Sequence, residues 1–197
     1  MQTAPRQISD ERIFDELVAR VKRLEDEKHI LACMNRYMYL CDKIDADFNM
    51  DDLLALFTKD AIWEGIGKRY DKTFGRLTGR DEIVAMFAKY MKKPPHFTLN
   101  VHVLGNAQVD IDDKGGAGDI EADNIEADNI EAKGSWILVQ TSTFASGLSW
   151  LNCARIRAGF RYEEEKWRIC HFRTENLFSR PMEKAWDDNA SLPVPKA

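Results

Sequence analysis

The hydrophobic pattern of the chain changes at Pro94-Pro95, and this change constrains the fold more than any other feature. Before the two prolines, apolar residues recur every three or four positions, which is typical of amphipathic helices. After them, four long stretches predict β-strands: 96–112, 133–147, 150–163 and 167–178. Helices followed by a run of strands indicate an α+β fold. We therefore expect N-terminal helices packed against a strongly curved antiparallel sheet that closes over an apolar pocket.

Four helical segments and one short strand are expected before the prolines. The first helix begins at Ser9, whose hydroxyl can cap free N–H groups, and its charged face is solvated. Its apolar face is formed by Ile13, Phe14, Leu17, Val18, Val21 and Leu24. A second helix is expected over 30–41, a third over 53–57 and a fourth over 83–91, with a strand at 61–66 between the last two.

Composition and charge argue against several classes of partner. The chain has 28 basic and 33 acidic residues, a net charge of −5, and no basic stripe, which argues against nucleic acid. It has no run of about 18 apolar residues that could cross a membrane, and 1–10 lacks the apolar segment of a signal peptide. Its cysteines form no CxxC pair or zinc-ligand spacing. We expect reduced thiols, no metal and a cytoplasmic location.

A length of 197 residues suits one domain. We expect an N-terminal helical extension (1–23), a core domain (24–180) with an insertion at 115–132, and a C-terminal tail (181–197). Within the insertion, 119–132 repeats Glu-Ala-Asp-Asn-Ile with six acidic residues and no basic one. A period of five fits neither a helix nor a strand, so an extended hairpin tip is expected. This segment is either a duplication without a function or an arm that reaches over a neighbouring subunit and helps to shape its pocket.

The strand at 96–112 carries the first candidate for chemistry. Alternation puts His102 on the same face as Asn100, and Phe97 and Val101 on the other. A histidine in this position either has a structural role or lines a pocket, where it can act as a general base.

Two further pairs of candidate residues lie elsewhere. On the last strand, His171 and Arg173 share a face that is either a salt-bridged surface or a pocket wall. Asp42 follows the second helix, five residues after Tyr37, which corresponds to about 140° around a helix. The two side chains reach one cavity only if the helix end lies across its mouth; otherwise Asp42 is a turn residue.

Four short segments together resemble the SnoaL-like group of the nuclear transport factor 2-like superfamily, over roughly 24–178. They are 37–42, 56–61, 102–106 and 167–169. The resemblance implies a cone-shaped, cystatin-like α+β barrel and a site like those of bile-acid 7α-dehydratase, hexachlorocyclohexane dehydrochlorinase and diarylpropane-diol lyase.

The resemblance also implies roles for individual residues. Tyr37, Asp42 and His102 match a tyrosine, an aspartate and a histidine that act together in the dehydratase. Arg173 fits an arginine that assists the leaving group in the dehydrochlorinase. About four extra residues follow Asp42, so Asp45 or Asp47 is an alternative counterpart.

The implied function is a cofactor-independent lyase acting on a small apolar cyclic or aromatic alcohol, by dehydration or by retro-aldol type loss of a small carbonyl fragment. The chain has no phosphate-binding glycine loop. The expected substrate-binding residues are Trp63, Phe87, Met91, Trp136, Phe144, Trp150, Asn152 and His171. The alternative is a non-catalytic ligand-binding or partner subunit, like the small subunit of a ring-hydroxylating dioxygenase.

The strand at 150–163 bears on assembly. One face, with Trp150, Asn152 and Ile156, is expected to line the pocket. The other carries Leu151, Cys153, Arg155, Arg157 and Arg161. We expect this outer face to contact another copy in a homo-oligomer, a dimer or trimer.

Overall fold

The computed structural model of the chain describes residues 10–67, 70, 73–111 and 129–186. The expected order, helices first and long strands after, is confirmed. The elements are α1 (Asp10–Cys41), α2 (Met50–Leu54), β1 (Phe57–Ile66), β2 (Arg76–Thr78), α3 (Gly79–Phe87), a short 3₁₀ helix (Ala88–Tyr90), β3 (Phe97–Ile111), β4 (Ala132–Phe144), β5 (Ser149–Glu163) and β6 (Lys166–Met182). None of the helices in these ranges is long and apolar enough to span a membrane. Ser9, most of the acidic repeat and residues 187–197 lie outside the described residues.

The six strands form one sheet in the order β2-β1-β6-β5-β4-β3. β3 to β6 are joined as successive antiparallel hairpins, as expected. The expectation of a wholly antiparallel sheet is wrong at one place, because β1 pairs with β6 in parallel. These are the first and the last strand along the chain, so no hairpin turn sets their relative direction. The short strand β2, which pairs with Ile62–Glu64 of β1, was not predicted.

The first two predicted helices are one helix, α1, because no glycine or proline interrupts the segment between them. Its buried residues begin only at Asp26 and include Ile30, Met34 and Tyr37. The apolar residues of the first predicted helix remain exposed, with Phe14 and Leu24 each 65% accessible. The first sixteen residues of α1 therefore bury no side chain, and within them Lys22 and Arg23 still contact the sheet, at Tyr162 and Asp110.

Two bulges decide which residues face the core. In β3, pairing with β4 shifts between Phe97 and Leu99, so Phe97 reaches the inner face although Val101 points outward. In β6, Gly159 of β5 pairs with His171, whereas Phe160 pairs with Ile169. One extra residue in β6 reverses the alternation, so that Ile169 and Phe172 both join the core.

Candidate active site

A cavity of about 740 Å³, counting the space at its open mouth, lies between α1, α3 and the inner face of the sheet. Its wall is largely apolar, with a polar strip on β3 and β4. The lining residues are Tyr37, Met38, Cys41, Ile44, Trp63, Tyr70, Phe74, Met86, Phe87, Tyr90, Phe97, Asn100, His102, Leu138, Gln140, Ile156, Phe172 and Thr174.

The structure brings His102 and Asp42 together at this wall. The Nδ1 atom of His102 lies 2.6 Å from Oδ1 of Asp42, and the same oxygen accepts the backbone N–H of His102 at 3.0 Å. Asp42 directly follows α1, and its own N–H still bonds to the carbonyl of Met38. The His102 side chain is 11% exposed, so it is largely desolvated but reachable from the cavity.

The geometry selects Asp42 among the three aspartates considered from the sequence. Asp45 is exposed and accepts the backbone N–H of Asp47. Asp47 is exposed and pairs with Lys93 at 3.1 Å. Neither carboxylate contacts His102.

Beside His102, amide side chains form a fixed polar strip. Gln140 lies directly across from His102 on β4 and donates to Oδ1 of Asn100 at 2.9 Å. Ser142 donates to the same oxygen at 2.8 Å, and Nδ2 of Asn100 donates to the carbonyl of Cys41 at 3.3 Å. The C-terminus of α1 is thus joined to β3 at two adjacent points, Cys41 and Asp42. The polar strip was missed as a site because the contact between Asn100 and Gln140 depends on strand register.

Tyr37 lies at the apolar side of the cavity and is 3% exposed. Its hydroxyl accepts the indole N–H of Trp63 at 2.8 Å, and its ring packs edge-on against Phe172. Burial raises the pKa of Tyr37 well above its usual range, and the neighbouring Cys41 raises it further. Burial also raises the pKa of Cys41 to about 12. Both groups therefore remain protonated at neutral pH.

Two residues expected in the pocket lie on the outer face of the sheet instead. His171 is fully buried there, with Nε2 2.9 Å from Oε1 of Glu64. Arg173 lies 3.7 Å from the same oxygen, and Arg76 lies 3.3 Å from the other. The expected roles of Arg173 at the leaving group and of His171 in substrate binding are thus corrected. The bulge in β6 is the cause, because it turns both side chains away from the cavity.

The other expected substrate-binding residues divide into two groups. Trp63 and Phe87 line the cavity, as placed from the sequence. Five others do not line it: Met91, Trp136, Phe144, Trp150 and Asn152.

Local packing explains each of these corrections. The ring of Trp136 lies over Gly134, where a side chain would collide with it, and against Phe160. Phe144 and Trp150 line a second concavity beyond the end of the cavity. Asn152 bonds to Gln140 and Ser179. Met91 follows the 3₁₀ helix, which ends the helical run before it.

Cys41, Asn100, Gln140 and Phe172 are the main lining residues not chosen from the sequence. Of these four, only Asn100 could have been identified from the sequence, because alternation puts it on the same face of the strand as His102. Within the described ranges, no group of three His, Cys, Asp or Glu side chains is placed to hold a metal ion.

Comparisons with known proteins agree with this architecture. The sequence profile of the SnoaL-like domain family matches residues 22–173. Hexachlorocyclohexane dehydrochlorinase LinA-type3 from Novosphingobium barchaimii LL02 has a TM-score of 0.60 at 13% identity, covering 89% of this chain and 99% of that chain. A protein from Novosphingobium aromaticivorans DSM 12444, assigned as a scytalone dehydratase, has a TM-score of 0.57 at 16% identity, with coverages of 89% and 97%.

A third structure extends the likeness. An NTF2-like protein with a cystatin-like fold from Novosphingobium aromaticivorans has a TM-score of 0.57 at 21% identity, with coverages of 87% and 92%. Among curated protein sequences, none matches this chain. At such identities these likenesses show the fold alone. The expected cystatin-like α+β fold is confirmed.

Proposed function

The chain belongs to the SnoaL-like domain family, and from this premise and the geometry of the cavity we propose that it is a cofactor-independent lyase. The observation that carries the proposal is the His102–Asp42 pair, 2.6 Å apart, on the wall of an apolar cavity. The substrate is a small cyclic or aromatic alcohol. It loses water or a small carbonyl fragment.

His102 is the proton-transfer group in this proposal. Asp42 holds the Nδ1–H of His102, which leaves the lone pair on Nε2 for the substrate. Within the described ranges, no residue hydrogen-bonds Nε2. When Nε2 takes a proton, the imidazolium that forms is stabilised by the Asp42 carboxylate and by the C-terminal end of the α1 dipole.

Two reactions are compatible with His102 as the base. In a dehydration, Nε2 removes a proton from carbon, a C=C bond forms, and the adjacent hydroxyl leaves with a proton as water. In a retro-aldol cleavage, Nε2 removes the hydroxyl proton, the C–C bond breaks, and a carbonyl fragment leaves while the remaining carbanion is reprotonated. Both need only acid–base groups.

In this proposal the polar strip binds the oxygen of the substrate. An amide carries two N–H groups, and Asn100 and Gln140 each use one in the contacts above. The remaining N–H groups can offset negative charge that develops on oxygen. Tyr37, protonated because of its raised pKa, is a further donor and keeps the role of assisting the leaving group, without Arg173.

The apolar wall supports an aromatic or cyclic substrate. Trp63 stacks on Phe172 with ring centroids 5.6 Å apart, and Phe74 meets Trp63 edge-on at 5.3 Å. Such ring surfaces favour flat apolar ligands. The structural relatives, a hexachlorocyclohexane dehydrochlorinase and a protein assigned as a scytalone dehydratase, also support elimination as the class of reaction.

The test is a screen of cyclic and aromatic alcohols, including aromatic diols, by mass spectrometry. We expect a product lighter by one water or by a small carbonyl fragment with the parent protein and with His29→Gln, a control at an exposed surface position. The same product should disappear with His102→Gln. A protein that binds such compounds without turning them over would instead support the non-catalytic ligand-binding alternative.

A further inference from the structure

The first sixteen residues of α1, here called the overhang (10–25), bury no side chain in the domain, although Arg23 lies 3.7 Å from Asp110 of β3 and Lys22 lies over the ring of Tyr162 of β5. Every residue in the overhang is exposed. Six large apolar side chains form a stripe along it, each between 44% and 65% exposed: Ile13, Phe14, Leu17, Val18, Val21 and Leu24. None of them belongs to the hydrophobic core formed by the described residues.

The stripe faces away from the sheet of its own chain. Leu17, Val21 and Leu24 each precede a buried residue of α1 by nine positions, namely Asp26, Ile30 and Cys33. Nine residues correspond to about 900°, or two and a half turns, of an α-helix. The stripe therefore lies on the side of α1 opposite to the side that packs on the sheet. The sheet cannot cover it without a break in the helix.

A helix of this length needs a partner to be stable. Isolated helices of about 12–15 residues are marginal in water, and most helical stability comes from packing an apolar face. Six half-exposed large apolar side chains present about 500 Å² of apolar surface, which is near the upper end of the patch size found on monomers.

The order of residues along the stripe indicates which partner fits. Its central seam reads Asp10, Phe14, Leu17, Val21, Leu24 and Lys28, with spacings of four, three, four, three and four. This is the seam of a two-stranded coiled coil. The spacing is the same from either end, but one end is acidic and the other is basic.

We propose that the overhang pairs antiparallel with the overhang of a second copy of this chain. Phe14 then meets Leu24 of the second copy, and Leu17 meets Val21. Asp10 of each copy lies against Lys28 of the other, giving two ion pairs by symmetry. A parallel pairing would place Asp10 against Asp10 and Lys28 against Lys28.

The area and the position of the stripe are compatible with a stable dimer contact. Two overhangs bury about 1,000 Å² together, the lower limit of a specific interface. Because each stripe faces away from its own sheet, the two domains lie on opposite sides of the helix pair and do not collide. The outer sheet face around Arg155 and Arg157, expected from the sequence to contact another copy, is a separate surface and stays a prediction.

The test is the molar mass of the full chain by light scattering at about 10 µM. Leu17→Glu with Val21→Glu should halve the mass of the parent assembly, and raise its dissociation constant by about a hundredfold or more. Ala19→Glu, on the same segment but off the stripe, should keep the parent mass. A parent protein that is monomeric at this concentration overturns the proposal.

Charge exchange tests the orientation and does not depend on the double glutamate variant folding. Asp10→Lys alone should weaken the assembly about three- to tenfold, because two ion pairs become repulsive. Asp10→Lys combined with Lys28→Asp should restore the parent affinity. Equal affinities for all three proteins overturn the antiparallel pairing. An unchanged mass with a lower melting temperature in the double glutamate variant shows that the stripe is covered within one chain, which also overturns it.

Discussion

Two histidine–carboxylate pairs among the described residues differ mainly in what surrounds them. His102 and Asp42 lie 2.6 Å apart on the wall of an apolar cavity, with side chains 11% and 19% exposed. His171 and Glu64 lie 2.9 Å apart on the outer face of the sheet, where His171 is fully buried. A short distance between a histidine and a carboxylate therefore does not identify a site by itself. Access to a cavity separates the two pairs.

Their electrostatic surroundings differ as well. Glu64 is shared among His171, Arg76 and Arg173, so its charge is balanced by arginines. Burial lowers the pKa of His171, an effect that Glu64 opposes and that Arg76 and Arg173 reinforce. The outer pair is thus a neutral histidine inside an ion cluster, suited to stability. In the cavity pair, Asp42 bonds to both the ring and the backbone N–H of His102, and among the described residues no cation lies on this carboxylate, so the contact is suited to orienting the imidazole.

The largest expected effect is the loss of His102. His102→Ala should reduce kcat/KM by about a hundredfold or more, because a positioned base contributes about 10²–10⁴-fold. The protein should stay folded, since the ring lies at a cavity wall. Circular dichroism and steady-state kinetics on the product found in the screen would check both points. A near-normal rate would remove His102 from the chemistry.

Asp42→Asn should have a smaller effect, about ten- to a hundredfold on kcat, because the amide no longer stabilises the imidazolium. Asp45→Asn is the matched control, three residues further along and exposed. It should keep kcat within about twofold. Equal losses in both variants would show that the Asp42 contact has no special role.

For the outer pair, stability and activity should respond in the opposite way. His171→Ala should lower the free energy of unfolding by about 1–3 kcal/mol, because it removes the buried hydrogen bond between His171 and Glu64 and opens a cavity. The kcat of the folded fraction should stay within about twofold. Urea unfolding followed by fluorescence would measure the first quantity. A tenfold loss of kcat in fully folded protein would move part of the chemistry to the outer face.

The smallest expected effect is a pH dependence carried by His171. Because its pKa in the folded chain is lowered, the unfolded chain binds a proton that the folded chain does not, once the pH falls below about 6.5. The stability contributed by neutral His171 is therefore present above this pH and is lost as the pH falls towards the folded pKa. Comparing the unfolding free energy of the parent and of His171→Gln from pH 7.5 to 5 should show a flatter profile for the variant. Parallel profiles would contradict the assignment.

The order of helices and long strands, and the resemblance to the family, could be predicted from the sequence alone. So could His102 on the first long strand, whereas Asp42 remained one of three candidates, with Asp45 and Asp47, until the structure was known. These features depend on spacing within one element, and such spacing is local information.

The tertiary structure decided which face each residue of a long strand occupies. Alternation along β6 predicted that His171 and Arg173 lie on the same face of the sheet as Ile169. One extra residue near Cys170 reverses the alternation, so His171 and Arg173 lie on the opposite face. This extra residue is visible only in the pairing of β6 with β5. The polar strip arises in the same way, because Gln140 meets His102 through the register of β3 and β4. The parallel contact of β1 with β6 joins segments about a hundred residues apart. Register and bulges are set by the whole sheet at once, so no single strand contains the information that fixes them.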